Sequence, residues 1–219
     1  VDAQLLPVLR VARGRHKDAR QALSNLILGT DVLAEEEALL ELTPRSADDV
    51  AMIQFTSGST GDPKGVVLPH SSLLANMKGI GLGAEFRAGD VAVSWLPLFH
   101  DMGLIGHFLA SMAWGLPLVL IPPEKFIRRP KEWLKAMSKY KGTASAAPNF
   151  AYSLCAKKIK DRDLEGVDLS SWRVAFCGAE PINAETVFKF IDRFKPYNFA
   201  SSTFFPASGM AEFSLAAAF

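Results

Sequence analysis

The chain has 219 residues, 49% of them hydrophobic and 21% charged, the balance of a folded domain with a sizeable core rather than of a disordered or fibrous chain. Lys and Arg number 24 against 23 Asp and Glu, so the net charge of +1 leaves no basic excess for a nucleic-acid partner. Two cysteines, Cys155 and Cys177, are too few for a disulfide framework, and both are read as reduced and buried in a cytoplasmic protein.

Residues 1–45 read as a helix and linker preceding the main body. Their basic cluster (Arg10, Arg13, Arg15, His16, Lys17, Arg20) reads as a solvated face, and Glu35-Glu36-Glu37 leads into a connector over Leu42–Asp49. The chain opens at Val1 with neither an initiator Met nor a signal-peptide pattern, as expected of a piece of a longer protein. From Val50 on, short apolar runs bounded by Gly or Pro predict buried strands at Ala51–Phe55, Val91–Trp95, Leu118–Ile121, Thr143–Ala147 and Arg173–Cys177. The apolar run Leu118–Ile121 fits a central strand. Helical periodicity falls between them: Ser71–Gly79 with a Ser cap, Leu104–Trp114, Pro130–Tyr140 with Pro in its first turn, Ala151–Ile159 and Ala184–Phe194. Strand and helix in alternation predict an α/β fold, a mostly parallel sheet flanked by helices. The apolar stretch Met102–Pro123 contains His107, Gly115, Pro117, Pro122 and Pro123, so helix followed by strand accounts for it better than a membrane span.

The most informative segment is Thr56-Ser57-Gly58-Ser59-Thr60-Gly61-Asp62-Pro63-Lys64-Gly65, placed after a predicted strand and before a predicted helix. Its glycines let backbone N–H groups approach a ligand closely, its hydroxyls donate hydrogen bonds, and Lys64 adds a charge. Donors in that density with one lysine suit a polyphosphate. The order is not that of a Walker A loop, because Lys64 precedes Gly65 instead of following a glycine. Nor is it a nucleophile elbow, since Ser57 stands where the first glycine is required.

That order resembles the signature loop of the adenylate-forming superfamily of acyl-CoA synthetases, luciferases, peptide-synthetase adenylation domains and fatty acyl-AMP ligases. Further segments resemble the same family in its order, in the fatty acyl-AMP ligase form: Leu96–Gly106, Pro148-Asn149-Phe150-Ala151-Tyr152, Asp168–Pro181 and Phe205–Glu212. The resemblance implies that the chain is part of a large AMP-binding domain, with the family's small C-terminal domain and its catalytic lysine lying elsewhere. The function it implies is activation of a fatty acid by ATP, giving acyl-adenylate and pyrophosphate. Transfer to the phosphopantetheine of an acyl carrier protein would follow, or to coenzyme A in the synthetase branch.

By the same resemblance Thr56, Ser57, Gly58, Ser59, Thr60, Gly61 and Lys64 hold the ATP phosphates. His100, with Lys64, serves the catalytic step by orienting the acid's oxygen toward the α-phosphate. Asp101 adjoins His100 in sequence, and the two side chains are expected to diverge. With no third ligand in reach, His100 and His107 are not expected to bind a metal. Gly178, Ala179, Glu180, Ser208, Gly209 and Met210 form the adenine side, and Glu212 is the Mg²⁺ ligand. Phe150, Tyr152 and Trp114 are candidates for the acyl pocket. Ala211 favours the acyl-AMP ligase branch, where many synthetases carry Thr. Ser208 departs from the pattern, because the family places there a tyrosine whose ring stacks on adenine. The departure either transfers stacking to Phe204 or Phe205 or leaves a non-catalytic acyl or nucleotide-binding module.

Overall fold

The computed structural model describes residues 45–56 and 64–219. The expected helix and linker before Arg45, and Ser57, Gly58, Ser59, Thr60 and Gly61 of the phosphate-type loop, lie outside the described residues.

Nine strands can be followed among the described residues. β1 (Val50–Thr56) and β2 (Lys64–Pro69) form an antiparallel hairpin in which Thr56 pairs with Lys64. β3 (Ala92–Ser94), β4 (Leu118–Leu120), β5 (Ala144–Ala147), β6 (Val174–Cys177) and β7 (Phe204–Pro206) form a fully parallel sheet in the order β4-β3-β5-β6-β7. β8 (Ser208–Gly209) and β9 (Ala216–Ala218) make a two-stranded antiparallel ribbon. The parallel sheet is the expected α/β architecture, and each crossover carries helix.

Three expectations are corrected. The stretch Ala51–Phe55 is not a buried strand of the main sheet. It belongs to the separate hairpin, with Phe55 70% exposed, because among the described residues only one face of that ribbon packs against other elements. The loop at Thr56–Lys64 is therefore followed by a strand and not directly by a helix. Leu118–Leu120 is an edge strand among the described residues, not a central one, and Leu120 is half exposed. β7 went unforeseen because Phe204-Phe205-Pro206 is short and ends in Pro. An edge position tolerates the missing N–H.

Helices cover both faces. On one lie α1 (His70–Gly83) and a continuous helical run made of α2 (Asp101–Gly103), a π-helical stretch (Leu104–Leu109) and α3 (Ala110–Trp114). α1 starts after Pro69 with no side-chain cap, so the Ser71 cap read from the sequence is not formed. Leu73 and Met77 of α1 pack with Ile105 and Ala110, and Leu68, Met52 and Val66 of the hairpin join them. On the other face lie α4 (Pro123–Arg128), α5 (Lys131–Lys139), α6 (Asn149–Lys158) and α7 (Ala184–Phe194). Their core is aromatic: Trp133, Tyr152, Trp172, Phe190 and Phe194 are all nearly or fully buried and meet edge to face or tilted. Cys155 and Cys177 are buried free thiols, and burial pushes both up, Cys177 to about 12 and Cys155 further. Among the described residues no helix is long and apolar enough to cross a membrane.

At the amino-terminal end of the sheet one ion pair joins three elements. Arg173, just before β6, donates Nε to Asp90 Oδ1 at 3.0 Å and Nη2 to Asp90 Oδ2. Its remaining donors reach Ala84 O at 2.8 Å and Glu85 O at 2.9 Å, past the end of α1. Asp90 is 2% exposed. Burial alone would raise its carboxyl, but the Arg173 guanidinium and the Arg87 N–H outweigh that and hold it below the usual range. The pair's contribution is therefore present above the ordinary carboxylate value of 3.8 and is lost as pH falls through the lower folded value. Asp90→Ala should cost about 3–5 kcal/mol, because it strands the guanidinium, and urea unfolding of the full-length protein near neutral pH measures that loss.

Candidate active site

In an open parallel sheet the strands' carboxyl ends leave a crevice where connections diverge, and ligands bind there. Four of this sheet's strands deliver expected site residues to that edge. β3 runs out into Leu96-Pro97 and reaches His100 and Asp101, β5 into Pro148-Asn149, β6 into Gly178-Ala179-Glu180, and β7 into Ser208-Gly209. One cavity of about 220 Å³ collects His100, Asp101, Gly178, Ala179, Ser208 and Gly209 on its wall. From that polar mouth the lining continues to Ala92 and Ala144, at the starts of β3 and β5. It runs between the sheet and the helical layer of Ile80, Met102, Gly106, His107 and Ser111. Ala144 and Ala146 are two apart and share one face of β5, so two methyl groups stand where larger side chains would fill the space.

His100 is the N-cap of α2. Contrary to the expected divergence, its Nδ1 lies 2.9 Å from Asp101 Oδ1. The turn that starts α2 brings both side chains to the same side. The hydrogen bond to Asp101 raises the imidazole above its usual 6.5, with burial opposing. Burial alone would raise Asp101, but His100 outweighs it and holds the carboxyl low. Met102 N–H is 2.7 Å from Asp101 Oδ1 and 3.2 Å from His100 Nδ1. The shorter contact is the one compatible with a protonated Nδ1, whose hydrogen goes to the same carboxylate. That arrangement leaves Nε2–H free to donate to an anionic oxygen in the cavity.

His107, with no role foreseen from the sequence, is 5% exposed and engaged at both nitrogens. Nδ1–H donates to Met102 O at 3.1 Å, and Nε2 accepts the Ala146 N–H at 3.1 Å. Burial pushes it down to about 4, so it is a neutral imidazole of fixed tautomer. It sits in the π-helical stretch, whose wider turn accompanies functional sites in many helices.

Other expected residues fall elsewhere. Glu180 accepts the Phe150 N–H at 2.6 Å, capping α6 from outside instead of lining the cavity. Ala179 before it has φ 65°, a left-handed conformation costing a non-glycine residue about 1–3 kcal/mol. Met210 is half exposed and off the wall. Tyr152 is fully buried in the aromatic core and donates its hydroxyl to Phe176 O at 2.7 Å, while Phe150 is partly exposed against Trp95. Neither lines this cavity; Phe86, Phe176 and Phe219 do. Trp114 stands behind Phe86, with its Nε1–H on Met77 O at 2.9 Å. Phe204 packs on Tyr152 and Phe205 on Phe176, so neither replaces a ring at Ser208 on the wall. Thr56 and Lys64 face each other at the base of the hairpin and do not line the cavity. The sequence did hold a signal for the missed floor: Ala144-Ser145-Ala146-Ala147 is a strand of uniformly small residues, and such a strand fills little space.

Glu212 is exposed, on the rim of a shallow depression between α1 and residues 212–219. Among the described residues no three metal-ligating side chains cluster. A single free carboxylate fits Mg²⁺, which takes its other ligands from phosphate oxygens and water.

Residues 6–219 match the family model described as AMP-binding enzyme. The medium-chain-fatty-acid–[acyl-carrier-protein] ligase TtuA of Teredinibacter turnerae is 43% identical over 168 residues, 77% of this chain and 26% of that protein. A fatty acyl-adenylate ligase of Legionella pneumophila, solved in complex with acyl adenylate and pyrophosphate, superposes with a TM-score of 0.75 at 43% identity, covering 78% of this chain and 30% of that one. A structure from work on fatty acyl-adenylate ligases of E. coli and L. pneumophila gives a TM-score of 0.84 at 39% identity over 99% of this chain and 38% of that chain. The chain thus spans between a quarter and two-fifths of these relatives' lengths. With the family model covering nearly the whole sequence, and the sheet-edge cavity where its motifs converge, this chain belongs to the AMP-binding enzyme family.

Proposed function

We propose that the protein carrying this chain activates a fatty acid with ATP and hands the acyl group to an acyl carrier protein in the cytoplasm. The supporting observation is the single cavity in which a polar mouth, bearing His100, Gly178 and Ser208, continues into an alanine-floored space under α1 and α3. A carboxylate held at the mouth with its apolar tail inward is positioned to react without the tail meeting water. In the reaction a carboxylate oxygen bonds to the α-phosphorus of ATP and the bond to the bridging oxygen breaks. Acyl-adenylate forms, and pyrophosphate leaves with that electron pair. The acyl carbon then passes to the thiol of a phosphopantetheine arm, releasing AMP.

His100 donates Nε2–H to the carboxylate or to the α-phosphate oxygens as charge shifts between them, and Asp101 keeps the imidazole protonated and oriented. Gly178 and Ala179 offer backbone to adenine. Ser208 and Gly209 close the opposite wall, with Ser208 giving up the stacking surface of about 1–3 kcal/mol that an aromatic residue would supply. Lys64 and Thr56 hold the two ends of the phosphate loop in hairpin register. Glu212 would hold Mg²⁺, which would supply positive charge against that of the departing pyrophosphate.

Incubating the full-length protein with Mg-ATP, a series of fatty acids, and either coenzyme A or phosphopantetheinylated carrier protein tests this reading by mass spectrometry of the products. Acyl-adenylate should persist beside coenzyme A and be consumed by the carrier. Acyl-CoA as the product would move the protein to the synthetase branch, and ligand binding without pyrophosphate would make it a binding module. His100→Ala should lower kcat about 10²–10³-fold, as the loss of one aimed donor does.

The two histidines should titrate apart. In an NMR titration of the ring protons, His100 should have its midpoint above 6.5, and Asp101→Asn should bring it down toward that value. His107 should stay neutral to about 4. Since the folded value of His100 is raised, the stability its ion pair supplies is complete below 6.5 and fades as pH rises through the folded value.

A further inference from the structure

α1 carries a face that its core contacts do not explain. Leu73, Met77 and Ile80 enter the core, yet Ser72, Asn76, Gly79 and Gly83 recur at helical spacing along a neighbouring side. That stripe meets the segment after Glu212. Ser72 Oγ and Ser214 Oγ are 3.3 Å apart. Asn76 Nδ2 donates to Ala216 O at 2.7 Å, and Ala216 N–H donates to Asn76 Oδ1 at 3.1 Å. At the far end a Cβ on Gly83 would stand 2.5 Å from the Phe219 ring, so only a glycine admits that ring against the helix. The carboxamide of Asn76 thus exchanges two hydrogen bonds with one residue of β9, as a paired strand would.

The segment it holds is also anchored by Leu215, which packs against both core clusters, and by buried Ala211 and Ser214, but its main-chain pairing is slight. β8 and β9 pair over two positions, and a two-stranded ribbon that short is not stable by itself. Within the turn Met210 N–H reaches Leu215 O at 2.9 Å. Ser214 is left-handed at φ 69°, and any side chain at Gly209 would run into the Leu215 carbonyl. This segment supplies Ser208, Gly209, Leu215 and Ala216 to the cavity wall, while its Glu212 borders the separate shallow depression beside α1.

We infer that Asn76 is a positioning residue for the nucleotide: its side-chain amide clamps Ala216 to α1 and so places the turn Ser208–Leu215 against the cavity mouth. The inference rests on the adenylation reading of that mouth. α1 begins where β2 ends, and β2 leads away from Lys64, so one rigid helix carries both the stem of the phosphate loop and the clamp on the opposite wall. Leu215 and Ala216 border the space for the acid's tail as well, but Ala92, Ala144, Ala146, Gly106 and Ser111 bound it independently of the clamp, so acid binding should lose less than nucleotide binding.

The test compares full-length wild type with Asn76→Ala and Asn76→Asp, the latter keeping the acceptor and losing the donor. Two quantities are read: amide hydrogen exchange of unliganded protein, and Michaelis constants for ATP and for the acid in pyrophosphate exchange. Asn76→Ala should speed amide exchange over 208–216 about tenfold with β5 and β6 unchanged, and raise KM for ATP about tenfold with KM for the acid within about twofold, the loss of two modest hydrogen bonds. Asn76→Asp should fall between. If Asn76→Ala does not fold, Asn76→Asp is judged by the same direction of both readouts. Unchanged exchange over 208–216, or KM values for ATP and acid rising together, overturns this inference alone. A wild type that exchanges pyrophosphate with no acid overturns the adenylation reading, and the inference with it.

Discussion

The cavity depends on a neutral imidazole. His107 joins the carbonyl of Met102, in the first turn of the helical run, to the N–H of Ala146 in the middle of β5. The ladder between β3 and β5 pairs Ala92 with Ala144 and does not include Ala146, whose N–H goes to the ring nitrogen. A buried N–H left unpaired costs about 1–3 kcal/mol, so the bond is worth keeping even though burial drives the ring's own protonation far down. Its consequence is spatial. The ring props α2 and α3 at a fixed height over Ala144 and Ala146, and the space between becomes a cavity instead of a collapsed interface. The same bond fixes Met102, whose N–H meets the Asp101 carboxylate, so the ion pair of His100 and Asp101 is anchored through one residue to the sheet.

A second constraint acts from the opposite end. The buried Asp90–Arg173 pair ties the entry to β3 to the entry to β6 and to the end of α1. The amino-terminal edge of the sheet is therefore held by a charge pair and main-chain acceptors, while the carboxyl-terminal edge is left open, with its connections bent into turns. Two of those turns carry non-glycine residues in the left-handed region, Ala179 and Ser214. Glu85, Lys141 and Asn198, in the connections that lead into β3, β5 and β7, share that conformation, so strained turns occur at both edges and persist because the packed core over-determines them.

What the sequence made legible follows from how local each signal is. Helix α7 was read to its ends from helical spacing of its apolar positions, and the structure adds the Asn183 cap, which accepts the Thr186 N–H. The parallel sheet was read from apolar runs between Gly and Pro. The hairpin was misread because Ala51–Phe55 is as apolar as a buried strand, and only the sheet partner decides how many faces are covered. His100, Gly178 and Ala179 follow strands that the pattern had marked, whereas Ser208 and Gly209 follow the unforeseen β7 and were named only through the family resemblance. The residues that build the interior were not found. Tyr152 looks like a pocket wall by composition, yet its hydroxyl is satisfied by Phe176 O inside the core. His107 and Asn76 act through partners 39 and 140 positions away, a separation that no local pattern reports.

Ser208 gives these observations a common meaning. Where a ring would hold adenine by its face, this chain has a small hydroxyl side chain, and Phe204 and Phe205 are committed to Tyr152 and Phe176. On the proposed reading, recognition of the nucleotide falls on main-chain groups of Gly178, Ala179, Ser208 and Gly209, and hydrogen bonds weaken steeply as distance and angle depart from ideal. Stacking tolerates a lateral slip, whereas a carbonyl or N–H aimed at one heteroatom does not. A site that replaces a ring with backbone must therefore hold its turns more firmly. The turns here are held from outside their own sequence, Glu180 fastening the Ala179 turn to α6 and Asn76 fastening the Ser208–Leu215 turn to α1.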